Sequence, residues 1–205
     1  MSFPPPNSAP APGPPTPTTG AETGEFSRAE RKRLLKIAHE AIEAALDREE
    51  ISLQPPSPHL AEPRGLFTTL YLRGELRGCV GYVFPVMPVY RAVVETARAA
   101  AAEDTRFQPV RPDEAQQLEV ALSILSPLRP IRADELEVGR HGLVVSMAGH
   151  RGLLLPQVPV EHHWDRTTFL EQTCRKAGLP LDAWKSGATL EAFTAEVFGD
   201  ADVRE

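Results

Sequence analysis

The chain has 205 residues, 41% of them hydrophobic, which suffices for one sizeable core and is short for two independent ones. A formal net charge of -6 leaves no basic field to hold a phosphate backbone, which excludes general nucleic-acid binding, and no run of about 18 apolar residues exists to cross a membrane. Two cysteines far apart in sequence make no disulfide framework, so the chain reads as soluble, reduced and cytoplasmic.

Residues 1–24, "MSFPPPNSAPAPGPPTPTTGAETG", carry more than a third of the 21 prolines and almost no large apolar side chains, so they are expected to form a disordered tail. An ordered domain is expected over 25–199, with a short C-terminal tail at 200–205. It opens on a helix in "EFSRAERKRLLKIAHEAIEAALD", where Ser27 and Glu30 make a capping box and Leu34, Leu35, Ile37, Ala38, Ala41 and Ile42 recur at helical spacing. After the proline-broken "PSPHLAEPRG", the period changes to two in "LFTTLYL" and "LRGCVGYVF", two strands joined by a tight turn at Arg73 and Gly74. A helix over "MPVYRAVVETARAAAAED" presents a small-residue face for packing on a sheet, and ends at "DTRFQPV". A short helix near "PDEAQQL", a strand "LEVALSILSP" and an acidic loop follow. Next come a hairpin, "GLVVSMAGHRGLLLPQV", a helix, "TTFLEQTCRKAGL", and a final strand, "LEAFTAEVF". Helices and strands mix without a regular β-α-β alternation. The fold class is therefore α+β, a single compact domain with a largely antiparallel sheet flanked by helices.

Cys79 stands on the second strand. Strict alternation places Arg77, Cys79 and Gly81 on one face and Leu76, Gly78, Val80 and Tyr82 on the other, so the apolar set faces the core and the thiol sits open beside a guanidinium. Gly78 and Gly81 inside the strand mark a bulge or the close approach of another group. Asp104 and Arg106 are placed either to reach the Cys79 region or to pair with each other across a turn. Cys174, at helical spacing with Phe169 and Leu170, reads as a buried helix cysteine.

The ordered series "GLFTTL", "LRGCVGY", "EDTRF.PV", "ELEVGRHGLVV", "RGLLLPQV", "E..WD" and "FL...C.KAGL" closely resembles the AMMECR domain family, known in bacteria as the AmmeMemoRadiSam system protein A family. The resemblance runs from about residue 30 to about residue 198. It implies a compact α+β domain whose cysteine motif lines a cleft suspected of being an active site. It also implies a pathway shared with Memo-type and radical S-adenosylmethionine proteins, a modification or redox reaction. Likeness of fold to nucleotide-, nucleic-acid- and peptide-binding proteins does not decide function.

As an enzyme, the chain would use Cys79 as nucleophile or redox thiol on a small or peptide-like substrate. Arg77 would favour the thiolate, His141 would serve as base, and Glu161 would orient it or handle protons. The bland alternatives are a cysteine packed as a small hydrophobe, a loop histidine that caps a strand, and a buried carboxylate paired with Arg77 or Arg151. As a binding module, "LRGCVGY" and "PQVPVEHHWD" would form a groove for a protein, peptide or nucleotide, with Gly78, Gly81, Asp104, Arg106, Gln157, Trp164 and Asp165 in contact. A core tryptophan and a helix N-cap are the plainer accounts of Trp164 and Asp165. Short-range metal-ligand pairs, a phosphate loop and a dinucleotide fingerprint do not occur, so no metal and no cofactor are expected.

Overall fold

The computed structural model describes residues 24–204 apart from 50, 52, 54 and 55; residues 1–23 of the proline-rich stretch lie outside the described residues. By contacts the chain forms two compact units, one comprising the described residues up to Leu125 with those from Glu196 onward, the other Ser126–Ala195.

The first unit begins with helix α1, Arg28–Asp47. Its capping box forms as expected: the Ser27 hydroxyl accepts from the Glu30 N–H, and the Glu30 carboxylate accepts from the Ser27 N–H at 3.0 Å. Leu34, Leu35, Ile37, Ala38, Ala41 and Ile42 form its buried stripe, and Arg48 ends it in the left-handed region at φ 58°. Strands β1 (Leu66–Leu72) and β2 (Glu75–Tyr82) make the expected hairpin. Its turn residues Arg73 and Gly74 both have positive φ, 54° and 82°, the backbone that matches the twist of paired strands.

Helix α2, Val89–Ala102, lies on this hairpin with its alanine face. The approach is so close that a Cβ on Gly78 would stand 2.2 Å from the Ala100 carbonyl oxygen. The hydroxyls of buried Thr68 and Thr96 bond at 2.7 Å between strand and helix, which satisfies both inside an apolar layer. A short α3, Pro112–Ala115, leads into β3, Leu118–Leu125, antiparallel to β1.

The second unit holds β4 (Arg129–Pro130), β5 (Gly142–Met147), β6 (His150–Leu154), α4 (Gln157–Glu161), α5 (Arg166–Lys176) and β7 (Thr189–Phe193). Its sheet runs in the order β4-β7-β5-β6 around a core of Leu136, Leu143, Val145, Phe169, Leu170 and Cys174. Cys174 is fully buried in α5, as its spacing indicates. Strand β8, Ala195–Gly199, then joins the first sheet, whose order is β2-β1-β3-β8, and Asp200–Val203 forms a short α6.

The α+β class and the antiparallel pairing agree with the sequence. Two differences stand beside that agreement. The strands divide between two four-stranded sheets, because "LEAFTAEVF" breaks at Thr194, whose N–H and C=O bond Ser126 instead of a ladder partner. The stretch "QVPVE", expected to run from the end of the hairpin into a binding-groove segment, winds into α4. Replacement of Gly78 by Ala is expected to destabilise the protein by about 1–3 kcal/mol, since both clashing groups are backbone-anchored. Urea denaturation measures it, and an unchanged midpoint would contradict the close approach.

Candidate functional site

Cys79 lies on β2, an edge strand, paired opposite Thr69. Its outward N–H and C=O have no neighbouring strand to bond. Both are met by side chains from the turn after α2: the N–H donates to Asp104 Oδ2 at 2.8 Å, and Arg106 Nη2 donates to the carbonyl at 3.0 Å. Asp104 and Arg106 also bond each other, Nε to Oδ1 at 2.9 Å and Nη2 to Oδ2 at 2.7 Å. The two alternatives open for this pair are thus both realised, and together they imitate one rung of a further strand. Asp104 keeps 1% of its side-chain surface exposed. Burial opposes its charge, yet the bonds from Arg106 and from the Cys79 and Arg106 N–H groups hold its carboxyl below the usual range.

The sulfur of Cys79 is sealed, with the residue at 0% exposure. Thr69 Oγ1 donates to Sγ at 3.3 Å. Burial pushes the thiol pKa up; the Thr69 bond and the Arg106 charge pull it down without overcoming that. This corrects the expectation of an open thiol. The face assumed to meet solvent carries Phe67, Thr69, Tyr71 and Ala121 beside Cys79, and all are buried. Both glycines have packing causes: Gly78 admits the α2 backbone, and a Cβ at Gly81 would stand 2.3 Å from the Phe67 ring.

Arg77 also departs from the expected role of activating Cys79. The register slips here: Leu70 pairs with Gly78 and Tyr71 with Leu76, so Arg77 is an extra residue in a β-bulge. The bulge interrupts the alternation from which Arg77 and Cys79 were assigned one environment. The Arg77 guanidinium instead donates to the carbonyls of Gln108 (2.7 Å) and Pro109 (3.1 Å) and to Glu114 (2.9 Å), anchoring the chain that leads into α3. The cation beside the thiol is Arg106.

The other candidates belong to the second unit. His141 Nδ1 accepts from the Glu137 N–H at 3.0 Å, and its own N–H donates to the Glu137 carbonyl at 3.0 Å, so it closes a turn before β5. Glu161 ends α4 exposed, not as a buried carboxylate: Arg77 pairs with Glu114, and Arg151 with Glu191 at 3.2 Å. Gln157 opens α4 half-buried. Trp164 packs on the second core and stacks on His162, centroids 4.7 Å apart. Asp165 caps α5 by accepting the Thr168 N–H at 2.8 Å. His141, Trp164 and Asp165 therefore each have a local structural task.

A cavity of about 580 Å³ lies in the first unit, lined by Tyr82, Met87, Tyr90, Arg91, Val94 and Glu95 among others. Its sequence signal is slight, the i, i+4 spacing of Arg91 and Glu95 on α2. Ligand atoms of Glu25, His59 and Glu62 approach one another within 4.8 Å, but Arg64 bonds both carboxylates and supplies their counter-charge. The group reads as an ion-pair network.

Because the Asp104 carboxyl titrates lower folded than unfolded, it stabilises the protein above its unfolded value and loses this as pH falls through its folded one. Asp104→Asn is expected to cost about 1–3 kcal/mol at pH 7 and to flatten the loss of stability below about pH 4. Denaturant titrations at several pH values test both signs.

Comparison with known proteins agrees with this architecture. The AMMECR1 family model matches residues 35–198. Protein MK0488 of Methanopyrus kandleri is 41% identical over 193 residues, covering 88% of this chain and 90% of its own. A protein of Thermococcus gammatolerans is 43% identical over 192 residues, covering 86% and 90%. The crystal structure of uncharacterized protein PH0010 from Pyrococcus horikoshii matches with a TM-score of 0.64 at 40% identity, over 82% of this chain and 89% of that one. With the family model matching residues 35–198 and relatives 41% and 43% identical over most of its length, the chain belongs to the AMMECR1 family.

Proposed function

We propose that the protein is a non-catalytic binding module for a small molecule or peptide, serving a modification pathway with Memo-type and radical S-adenosylmethionine proteins. The observation that carries this reading is the zero exposure of Cys79. Thiol chemistry needs a thiolate and an approach path, and burial opposes both. The groups that would serve a nucleophile are engaged elsewhere: Arg77 holds the 108–114 segment, and His141 Nδ1 accepts a backbone N–H. A preformed cavity that sets aliphatic side chains beside the polar groups of Tyr82, Tyr90, Arg91 and Glu95 is, by contrast, a usual form of a ligand site.

One observation favours the alternative, a cysteine-dependent enzyme: the Arg106 charge beside the thiol. That mechanism would require the Asp104–Arg106 turn to leave β2 and expose the sulfur. Iodoacetamide at neutral pH separates the two. A binding module alkylates Cys79 and Cys174 at similarly slow rates until it is unfolded, whereas an enzyme alkylates native Cys79 far faster. Cys79→Ala is likewise expected to complement a deletion strain, and failure of a folded variant to do so would count against the reading.

A further inference from the structure

We propose that the cavity beside α2 binds a small monocarboxylate with an apolar body, its carboxylate held by the Arg91 guanidinium. The inference rests on the binding-module reading and names the ligand class. The lining fixes the body of the ligand. Ile51, Leu53, Val86, Met87 and Val94 give aliphatic walls, and Tyr82 and Tyr90 add aromatic surface. The volume of about 580 Å³ falls within the roughly 300–1,000 Å³ of small-molecule sites.

Arg91 fixes the head group. Tyr90 is 3% exposed, so its ring is held in place. Arg91 Nε donates to the Tyr90 hydroxyl at 3.1 Å, and the guanidinium carbon lies 5.8 Å from the ring centroid. The side chain is therefore anchored through Nε. Its two Nη groups have no protein partner among the described residues, which leaves a pre-oriented fork of the kind that receives a carboxylate. Glu95, one turn along, makes no salt bridge with it, and this order of charges is the weaker one along a helix. Arg91 also lies in the first turn of a 14-residue helix with no side-chain cap, where the helix dipole favours an anion.

Glu95 sets the charge limit. A dianionic phosphate ester on Arg91 would lie beside the Glu95 carboxylate, one turn along the same helix, whereas a monoanion meets less repulsion and leaves Glu95 to accept an N–H or O–H from the ligand body. Burial, with Glu95 and Glu103 nearby, pushes the Tyr82 phenol up, so it stays protonated and able to donate.

The test titrates the full, ¹⁵N-labelled chain with N-acetyl-phenylalanine and with its carboxamide, following backbone amide shifts. The acid is expected to bind saturably, with a dissociation constant on the order of 1 mM or tighter, moving Tyr82 and Val89–Glu95. The carboxamide is expected to bind about tenfold more weakly, and Arg91→Gln to abolish the difference while Glu95→Gln retains it. Adding 4-phenylbutyrate distinguishes a free acid from a peptide C-terminus as the natural source, since it lacks the amide. Equal affinity for acid and carboxamide, no saturable shift at the cavity, or probe-free shifts that follow protein concentration would each overturn the proposal; the last would mean that a second copy covers the face. Wild-type discrimination does not depend on the variants folding. Rapid alkylation of native Cys79 would instead sink the binding-module reading, while a silent cavity with a slow thiol removes only the ligand assignment.

Discussion

The edge of β2 at Cys79 is closed by an ion pair, and much of the first unit depends on that closure. An edge strand with unbonded N–H and C=O groups invites pairing with another chain. Here Asp104 accepts the one and Arg106 donates to the other, 25 and 27 residues further along the chain. The segments "LRGCVGY" and "EDTRF" are therefore two halves of one joint. The turn that carries the pair follows directly from α2, whose backbone approach at Ala100 requires Gly78. Helix position, turn position and edge closure constrain one another.

The same joint accounts for the residue types without a reaction. Position 79 needs a small side chain that can lie buried opposite Thr69 and take a hydroxyl donor, and a thiol does so at modest cost. Position 77 needs a long donor-rich side chain, because the bulge turns it toward two carbonyls and a carboxylate at once. A cysteine beside glycines and arginines is a legitimate signal of reactivity in a sequence. The fold gives Arg77, Gly78, Cys79 and Gly81 each another occupation.

Local chemistry made much of the fold legible. The Ser27–Glu30 box, the Leu34-to-Ile42 stripe, the Arg73–Gly74 turn and the Cys174 spacing are decided by neighbours within a few residues, and the structure has them all. The reach of Asp104 and Arg106 to Cys79 was legible as one of two alternatives. What escaped depends on register and on layers. A one-residue bulge at Arg77 leaves no mark in an alternating pattern, yet it changes the surroundings of the side chain it carries. Alternation also cannot tell a solvent face from a second buried face, which is how Cys79 came to be expected in the open. The break at Thr194 falls inside an unbroken β-rich run, and the cavity is assembled from a strand end, a loop and a helix that no local motif ties together.

The central claim is that side chains from the 104–106 turn complete the edge of β2 and keep the sulfur of Cys79 from solvent. Native-state hydrogen exchange of the Cys79 amide tests it most directly, because on an uncovered edge that N–H would face water. The account predicts protection comparable with the interior amides of β1, such as that of Leu70, and its loss when Asp104 is replaced by alanine. Exchange of the wild-type Cys79 amide as fast as that of the exposed Gly74 turn would contradict it.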